Sequence, residues 1–339
     1  MNFSSSVHIT DFIGKFSKAI LNIGRSVSFN DLALEIFRWQ AINNPVYKEY
    51  LELINCNPVN ISAIENIPFL PITFFKNRKV LCNNLRYEKI FFSSGTVNSQ
   101  KSTHYIFDLQ QYRSNCLKIF ERNLGPVNNY HIYALLPSFN DAPNSSLAYM
   151  LQTLIEAGGR SENGFYLGKT DHLSSLLMEK KNSDIPVILF GLSYALMDFA
   201  EQFSISLPGS IIIETGGMKG NRREMIREEL HKALKYSFKA STIASEYGMC
   251  ELMSQAYSLG NGLFTPPPWM KVLIRKFREP FQLEKQGNYG CINIIDLANI
   301  HSCAFISTQD VGMLERNGTF RVLGRFDQSE LRGCNLMMG

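Results

Sequence analysis

Four short segments of the sequence combine glycine with hydroxyl, carboxylate or guanidinium side chains. The first covers residues 92–102, FSSGTVNSQKS, and places small hydroxyl residues and a glycine directly after a predicted apolar strand. Glycine lets backbone N–H groups approach an anion closely, and hydroxyl groups add further donors, so the segment is suited to holding phosphate. A plain polar turn has the same composition, and this segment alone does not decide between the two interpretations.

A Walker A phosphate loop is a third interpretation of the same segment. Residues 95–102 would match G-x-x-x-x-G-K-[ST] if Gln100 were glycine. That motif requires a helix that starts at the Lys–Ser pair, so that its N-terminus faces the phosphates. Residues 103–106 favour a strand instead, and the capping pair Asp108 and Gln111 predicts that the helix begins only there. The Walker A interpretation is therefore rejected.

The other three segments each carry one charged side chain beside a turn. In residues 245–251, SEYGMCE, Glu251 follows a predicted strand and could hold Mg²⁺ against phosphate oxygens. In residues 307–312, STQDVG, Asp310 could accept hydrogen bonds from a ribose diol. In residues 324–327, GRFD, Arg325 offers a permanently charged donor. Each segment alone is common at turns, so their order along the chain matters more than any one of them.

The predicted elements divide the 339 residues into four regions. Residues 1–86 are predicted to be mostly helical, with Asp31 as the N-cap of the clearest amphipathic helix. Strands and helices alternate over residues 87–265, which predicts an α/β nucleotide-binding body. Residues 266–323 contain four strand candidates without a helix, and the third of these is predicted to end at Ser307. Residues 324–339 form a predicted hinge-like tail.

In this order, the segments resemble those of the adenylate-forming superfamily of acyl ligases. The hydroxyl-rich loop, a Gly-Gly pair at 216–217, Tyr-Gly-x-x-Glu, Thr-x-Asp and Gly-Arg-x-Asp follow one another over roughly residues 87–333. The phrases SSGT, FGL, SEYGM, PPW and LRGC are most similar to the acyl-protein synthetase of the bacterial luminescence fatty-acid reductase complex, the LuxE type. The resemblance implies an α/β fold of packed sheets with a β-rich C-terminal part, and no small C-terminal domain.

The resemblance also implies ATP and Mg²⁺ as cofactors and a role for individual residues. The β- and γ-phosphates of ATP would be held by Ser93, Ser94, Gly95, Thr96 and Lys101. The adenine base would lie against Gly216, Gly217 and Tyr247, and Gly248 is expected in the cofactor-binding site as well. Glu251 would bind Mg²⁺, Asp310 the ribose hydroxyls, and Arg325 the ribose or the α-phosphate.

The sequence departs from the pattern of the superfamily in three places. Residues 97–100, VNSQ, replace the glycine-rich part of the phosphate loop, and Cys250 stands where Thr or Ser usually contacts the α-phosphate. The sequence also stops fifteen residues after Gly324, without the small domain that carries the adenylation lysine and builds the coenzyme A tunnel. The LuxE-type synthetases resemble it in this respect and carry the acyl group on a cysteine near their C-terminus. Cys334 is in the matching place, and Arg332 would favour its thiolate; the alternative is a chance cysteine.

The expected function is ATP-dependent activation of a carboxylic acid, in particular a fatty acid, to an acyl-adenylate that is passed to a protein thiol. The expected partners are the small-molecule acid and an acyl-accepting protein, either a reductase or a carrier protein. One alternative is a ligase that passes the acyl group to coenzyme A or a carrier protein. Another is a nucleotide-binding subunit without catalytic activity.

Composition excludes several other classes of function. The net charge is +4 and the basic residues are scattered, so we expect no nucleic-acid or membrane-surface partner. No apolar stretch is long enough for a membrane span and no secretory signal is evident, which favours the cytoplasm. Seven cysteines without a C-x-x-C pair argue against a disulfide framework or a zinc site. His104 and His131 lie on predicted strands and are interpreted as satisfied structural histidines.

Overall fold

The computed structural model describes residues 14–16, 19–20, 22–24, 26–82, 85–94, 100–216 and 225–326. The α-helices of the described chain are α1 Phe29–Asn43, α2 Pro45–Leu53, α3 Phe74–Asn77, α4 Leu109–Leu124, α5 Ser146–Gly158, α6 Thr170–Lys180, α7 Ser193–Gln202 and α8 Arg227–Phe238. Its strands are β1 Leu70–Pro71, β2 Lys89–Phe92, β3 Thr103–Ile106, β4 His131–Leu135, β5 Gly164–Phe165, β6 Val187–Leu192, β7 Ile211–Thr215, β8 Thr242–Tyr247, β9 Ala256–Ser258, β10 Met270–Arg275, β11 Tyr289–Asp296, β12 Phe305–Leu314 and β13 Phe320–Arg325. Both helices and strands occur in the chain as far as β9, and only strands follow, as the α/β prediction requires.

A six-stranded sheet in the order β5-β4-β6-β7-β8-β9 forms the α/β part. Its strands β4 to β8 pair in parallel, and β9 is antiparallel to β8. Parallel strands connected by helices are covered on both faces, and every residue of β4 and of β6 is accordingly buried. The carboxyl ends of β6, β7 and β8 therefore lie at one edge of the sheet.

Helix boundaries follow capping residues that are visible in the sequence. Asp108 accepts a hydrogen bond from Gln111 N at 2.8 Å, which confirms the predicted start of α4. The prediction that Asp31 caps the first amphipathic helix is wrong. Ser28 Oγ is the N-cap and accepts from Asp31 N at 3.4 Å, so that Asp31 lies in the first turn of α1. An acid there still interacts favourably with the positive end of the helix dipole.

A second sheet has the order β1-β12-β11-β10, and β13 also pairs with β12. Its strand β1 comes from the N-terminal part of the chain and pairs in parallel with β12, Leu70 opposite Ile306. The prediction that the third strand ends at Ser307 is wrong, because β12 continues to Leu314 and pairs with β13. Asp310 and Gly312 favour a turn in isolation, but the neighbouring strands on both sides provide hydrogen-bonding partners and outweigh that preference.

A separate hairpin of β2 and β3 carries the hydroxyl-rich segment at its end. None of the helices in the described residues is long and apolar enough to cross a membrane.

Candidate active site

The carboxyl edge of the six-stranded sheet brings two of the predicted segments together. Thr215 at the end of β7 is opposite Glu246 in β8. Gly216 and Gly248 then follow the two strands, and both are exposed. Ligands bind at this edge in open α/β sheets, so the geometry agrees with the predicted placement of these glycines. Gly217 lies outside the described residues.

Tyr247 connects this edge to the second sheet. Its hydroxyl donates a hydrogen bond to Asp310 Oδ2 at 2.8 Å, and both residues are 8% exposed. Arg325 is opposite Asp310 in the strand pair, with Nε 3.5 Å from Asp310 Oδ1. Burial raises the pKa of Tyr247 well above its usual range, and the Asp310 charge raises it further, so the phenol stays a donor. The structure thus brings Tyr247, Asp310 and Arg325 together as one group.

The Asp310 carboxylate and the Arg325 guanidinium offer different chemistry to a ligand. Asp310 is held from its backbone as well, because its N–H donates to Thr308 Oγ1 at 3.1 Å. The side chain of Arg325 is 78% exposed and is free to reach solvent-side groups. A fixed carboxylate can accept hydrogen bonds from a diol, and an exposed guanidinium can bind a phosphate oxygen.

Glu251 is buried in the turn after β8, at 4% exposure. Burial raises its pKa, while a hydrogen bond from Ser102 and the charge of Arg325 act in the opposite direction. A single carboxylate beside a hydroxyl fits Mg²⁺, which commonly uses one or two carboxylates together with nucleotide phosphates. The described residues contain no group of three or more His, Cys, Asp or Glu that could hold a metal by themselves.

His104 holds the backbone that leads into Glu251. Its Nδ1 is 2.8 Å from the carbonyl oxygen of Cys250, and its Nε2 is 3.1 Å from Asn299 Oδ1. Asn299 Nδ2 in turn donates to the carbonyl oxygen of Glu251 at 2.8 Å. Burial lowers the pKa of His104 to about 4, so the ring is neutral at pH 7 and donates from only one of its two nitrogens. The prediction of a satisfied structural histidine is confirmed for His104.

The same prediction is wrong for His131. That residue lies at the start of β4 as expected, but its Nδ1 has no hydrogen-bond partner among the described residues. A strand position predicts burial of the ring and says nothing about a partner for each ring nitrogen.

The hydroxyl-rich segment is closed by two hydrogen bonds at its base. Ser93 N donates to Ser102 O at 3.0 Å, and Ser102 N donates to Ser93 Oγ at 2.9 Å. Ser94 and Lys101 are exposed at the two ends of this loop. Gly95 and Thr96 lie outside the described residues, so their predicted contacts with phosphate stay predictions.

A buried network under Gly216 was missed in the sequence. Ser193 Oγ lies 3.0 Å from Glu214 Oε2 and 2.6 Å from the carbonyl oxygen of Gly216. Burial alone would raise the pKa of Glu214, but hydrogen bonds with His231 and Ser245 outweigh it, and the pKa is lowered. An ionised Glu214 therefore anchors the end of β7. In the sequence, Glu214 precedes the Thr-Gly-Gly turn, but its partners come from three other elements.

The cysteines of the described residues are poor nucleophiles. Five of these six are buried, and Cys56 is partly buried. Burial raises the pKa of Cys250 well above its usual range, which agrees with a weak contact at that position. Cys334, the predicted acyl carrier, lies outside the described residues.

Neither a protein-family model nor a curated protein matches the sequence. Among solved structures, the chain is similar to 2-hydroxyisobutyryl-CoA ligase in the postadenylation state with R3-HIB-AMP, with a TM-score of 0.64 and 11% identity. That match covers 88% of this chain and 67% of the ligase. ATP-bound MatB from Rhodopseudomonas palustris matches with a TM-score of 0.51 and 13% identity, over 70% of this chain and 47% of MatB.

O-Succinylbenzoate coenzyme A synthetase (MenE) from Bacillus subtilis, in complex with AMP, matches with a TM-score of 0.50 and 15% identity. The match covers 73% of this chain and 50% of MenE, so the chain spans about half the length of MenE and of MatB. At these identities the likeness concerns the arrangement of the sheets and helices. The chain has the α/β fold of the adenylate-forming acid ligases.

Proposed function

We propose that this protein uses ATP to activate a carboxylic acid as its acyl-adenylate and then passes the acyl group to a thiol. The group formed by Tyr247, Asp310 and Arg325 at the carboxyl edge of β8 carries this proposal. It combines a buried aromatic ring, a fixed diol acceptor and an exposed cation in the space where two sheets meet. These are the chemical requirements of a nucleoside phosphate. The shared fold with ligases crystallised with ATP, AMP or an acyl-AMP supports it.

The reaction would proceed in two displacements. In the first, an oxygen of the acid attacks the α-phosphorus of ATP, and the bond to pyrophosphate breaks. In the second, a thiolate attacks the acyl carbon, and the bond to AMP breaks. Arg325 would stabilise negative charge on the α-phosphate, and Asp310 would hold the ribose. Glu251 would bind Mg²⁺, and the ion would neutralise negative charge on the phosphates. Ser93, Ser94 and Lys101 would contact the remaining phosphates.

The thiol of the second step would be Cys334, as the sequence resemblance to the LuxE-type synthetases implies. The thiolate is the reactive form of cysteine, and burial disfavours it. Cys116 and Cys303 have pKa values raised to about 12 by burial, and Cys250 is raised well above its usual range. The described cysteines are therefore poor acyl carriers. A protein partner, a reductase or a carrier protein, would receive the acyl group from Cys334.

ATP–pyrophosphate exchange tests the first step without the second. Wild-type protein should exchange label only with Mg²⁺ and a suitable acid, and Asp310→Ala should weaken ATP about 10- to 150-fold. Glu315→Ala is the matched control, because this acid, which directly follows β12, pairs with Arg321 rather than with Tyr247 or Arg325. Equal exchange by wild type and Asp310→Ala would remove the ribose assignment, and absence of exchange with every acid would remove the proposed reaction.

A coenzyme A ligase is the second candidate, because one similar structure is an open conformation of 2-hydroxyisobutyryl-CoA ligase with the acyl-AMP and CoA. Labelled acid separates the two. Self-acylation predicts a label on the protein that neutral hydroxylamine removes and that Cys334→Ser abolishes, while exchange persists. Cys250→Ser should keep the label. Formation of acyl-CoA by wild type and Cys334→Ser alike would favour the coenzyme A ligase instead.

A further inference from the structure

A buried series of hydrogen bonds connects the phrase PPW to the segment that follows Glu251. Trp269 is the last residue of that phrase, and its indole Nε1 donates to Ser254 Oγ at 2.9 Å. Because an indole N–H can only donate, Ser254 Oγ is the acceptor and directs its own proton to Asp296 Oδ1, 2.7 Å away. All three residues are buried, and Asp296 is 0% exposed. None of them has a role in the proposed function so far.

The Asp296 carboxylate accepts hydrogen bonds from two different segments. In the segment after Glu251, the N–H of Met253 donates to Oδ2 at 2.9 Å, besides the Ser254 hydroxyl on Oδ1. In the loop that follows β11, the N–H of Ala298 donates to Oδ1 at 3.2 Å. Burial raises the pKa of Asp296 to about 6 although these hydrogen bonds act in the opposite direction, so the side chain is mostly ionised at pH 7. Hydrogen bonds to an ionised carboxylate are strong, and they fix the two segments against each other.

The loop after β11 also holds Glu251 at a second point. The N–H of Asn299 donates to the carbonyl oxygen of Asp296 at 2.9 Å. The side chain of Asn299 then donates from Nδ2 to the carbonyl oxygen of Glu251 at 2.8 Å. Asp296 therefore constrains the backbone of Glu251 through Asn299, and it constrains the backbone of Met253 directly.

A magnesium ligand depends on such constraints. Mg²⁺ requires nearly octahedral geometry, so a carboxylate that binds it must keep its oxygen in a fixed place. The Glu251 carboxyl group is only 4% exposed, and its position is set by the turn that carries it. In metal sites generally, loss of a group that orients a ligand costs about 10–100-fold in metal affinity or activity.

We propose that Asp296 is a positioning residue for magnesium binding, which holds the turn of Glu251 and is itself held by Ser254 and Trp269. This inference rests on the proposed function and deepens it, because it extends the metal site to buried residues that touch no ligand. A residue that only stabilises the fold would affect ATP binding equally with and without the metal. A positioning residue for Glu251 affects the magnesium-dependent part alone.

Calorimetric titration with ATP, without an acid, measures binding in the absence of chemistry. For each variant, the Kd of ATP in EDTA is divided by the Kd of ATP in Mg²⁺. Wild type should give a ratio well above 1. Asp296→Asn, which replaces an acceptor oxygen by a donor, should lower that ratio about 10-fold, or to 1 where the wild-type ratio is smaller, and should change the Kd in EDTA little.

Two serine variants provide a matched pair. Ser254→Ala removes the hydroxyl that joins Trp269 to Asp296 and should lower the ratio about 5-fold. Ser302→Ala is the control, because Ser302 is also buried in this part of the fold and donates at 2.7 Å as well, but to the carbonyl oxygen of Val80. It should leave the ratio unchanged.

The ratio and ATP–pyrophosphate exchange decide separate claims. Equal ratios for wild type, Asp296→Asn and Ser254→Ala overturn the inference and leave the proposed function intact. An equal fall in Ser302→Ala would assign the effect to a general loosening of the fold and would also overturn it, as would a wild-type ratio of 1. If Asp296→Asn does not fold, the two serine variants still decide. Absence of exchange with every acid overturns the proposed function, and the ratio then decides the inference separately.

Discussion

Replacing Tyr247 by phenylalanine should measurably loosen the contact between the two sheets. The substitution removes one oxygen and keeps the ring, which packs against Phe264 and Phe320. That oxygen makes the hydrogen bond to Asp310, which joins β8 of the six-stranded sheet to β12 of the other sheet. The change therefore isolates one polar contact in a setting whose apolar packing is preserved.

The size of the effect follows from the burial and charge of the two partners. A hydrogen bond to a charged group contributes about 1.5–3 kcal/mol, and both partners are buried. Arg325 compensates little, because its side chain is exposed and lies 3.5 Å from the carboxylate. We expect the free energy of unfolding to fall by about 1.5–3 kcal/mol. Tyr236→Phe, at a position 85% exposed, should change it by less than ~0.5 kcal/mol.

Urea unfolding of Tyr247→Phe, Asp310→Ala and the double variant measures the contact directly. A coupling energy of at least ~1 kcal/mol between the two substitutions is expected. Additive effects within ~0.3 kcal/mol would refute the reasoning, since two partners of one hydrogen bond must couple. In the exchange assay, KM for ATP should rise more in Asp310→Ala than in Tyr247→Phe, because only the former removes the proposed ribose acceptor.

Three further predictions concern the end of β8 and the turn that follows it. Glu251→Gln should lower ATP–pyrophosphate exchange at least ~10²-fold, and a wild-type rate over a Mg²⁺ titration would contradict the metal assignment. Gly248→Ala places a Cβ against Glu246 Oε1 and should lower the free energy of unfolding in urea by about 1–3 kcal/mol. Gly14→Ala is the control and should not destabilise the protein, because the space around Gly14 is open. Equal urea midpoints for the two variants would contradict this prediction. The folded protein holds the Glu246 proton more tightly than the unfolded chain, with a pKa of about 7, so wild-type stability should fall as pH rises from about 4.5 to 7, by up to about 3 kcal/mol. Glu246→Gln should flatten that part of the pH profile, and unchanged steepness would exclude Glu246 as its cause.

The α/β elements were predictable because their signals are local. Strand β6 is a continuous apolar run, which a fully buried parallel strand requires, and Asp108 and Ser145 cap the helices that follow β3 and β4. Strand β12 was predicted too short for the opposite reason. Its middle, residues 307–310, is polar, and Gly312 follows, where a Cβ would overlap the carbonyl oxygen of Arg321 in the neighbouring strand. Only that neighbour explains why the glycine lies in a strand.

The candidate site could be predicted only at positions where the residue type alone indicates the chemical role. Tyr247, Asp310 and Arg325 were expected to share a ligand, and the structure brings them into contact although 63 positions separate the first two. Glu214 was not singled out, because an acid at a strand end is common in any sequence. Its significance comes from burial and from partners on other elements, and neither can be inferred from the residue type at position 214.

The buried networks at the carboxyl edge have one consequence for the proposed reaction. Ionised Glu214 is fully paired and fixes the end of β7, and His104 with Asn299 fixes the carbonyl groups of Cys250 and Glu251. Paired networks of this kind make the carboxyl edge of the six-stranded sheet rigid before a nucleotide binds. Binding energy is therefore not used to order that edge.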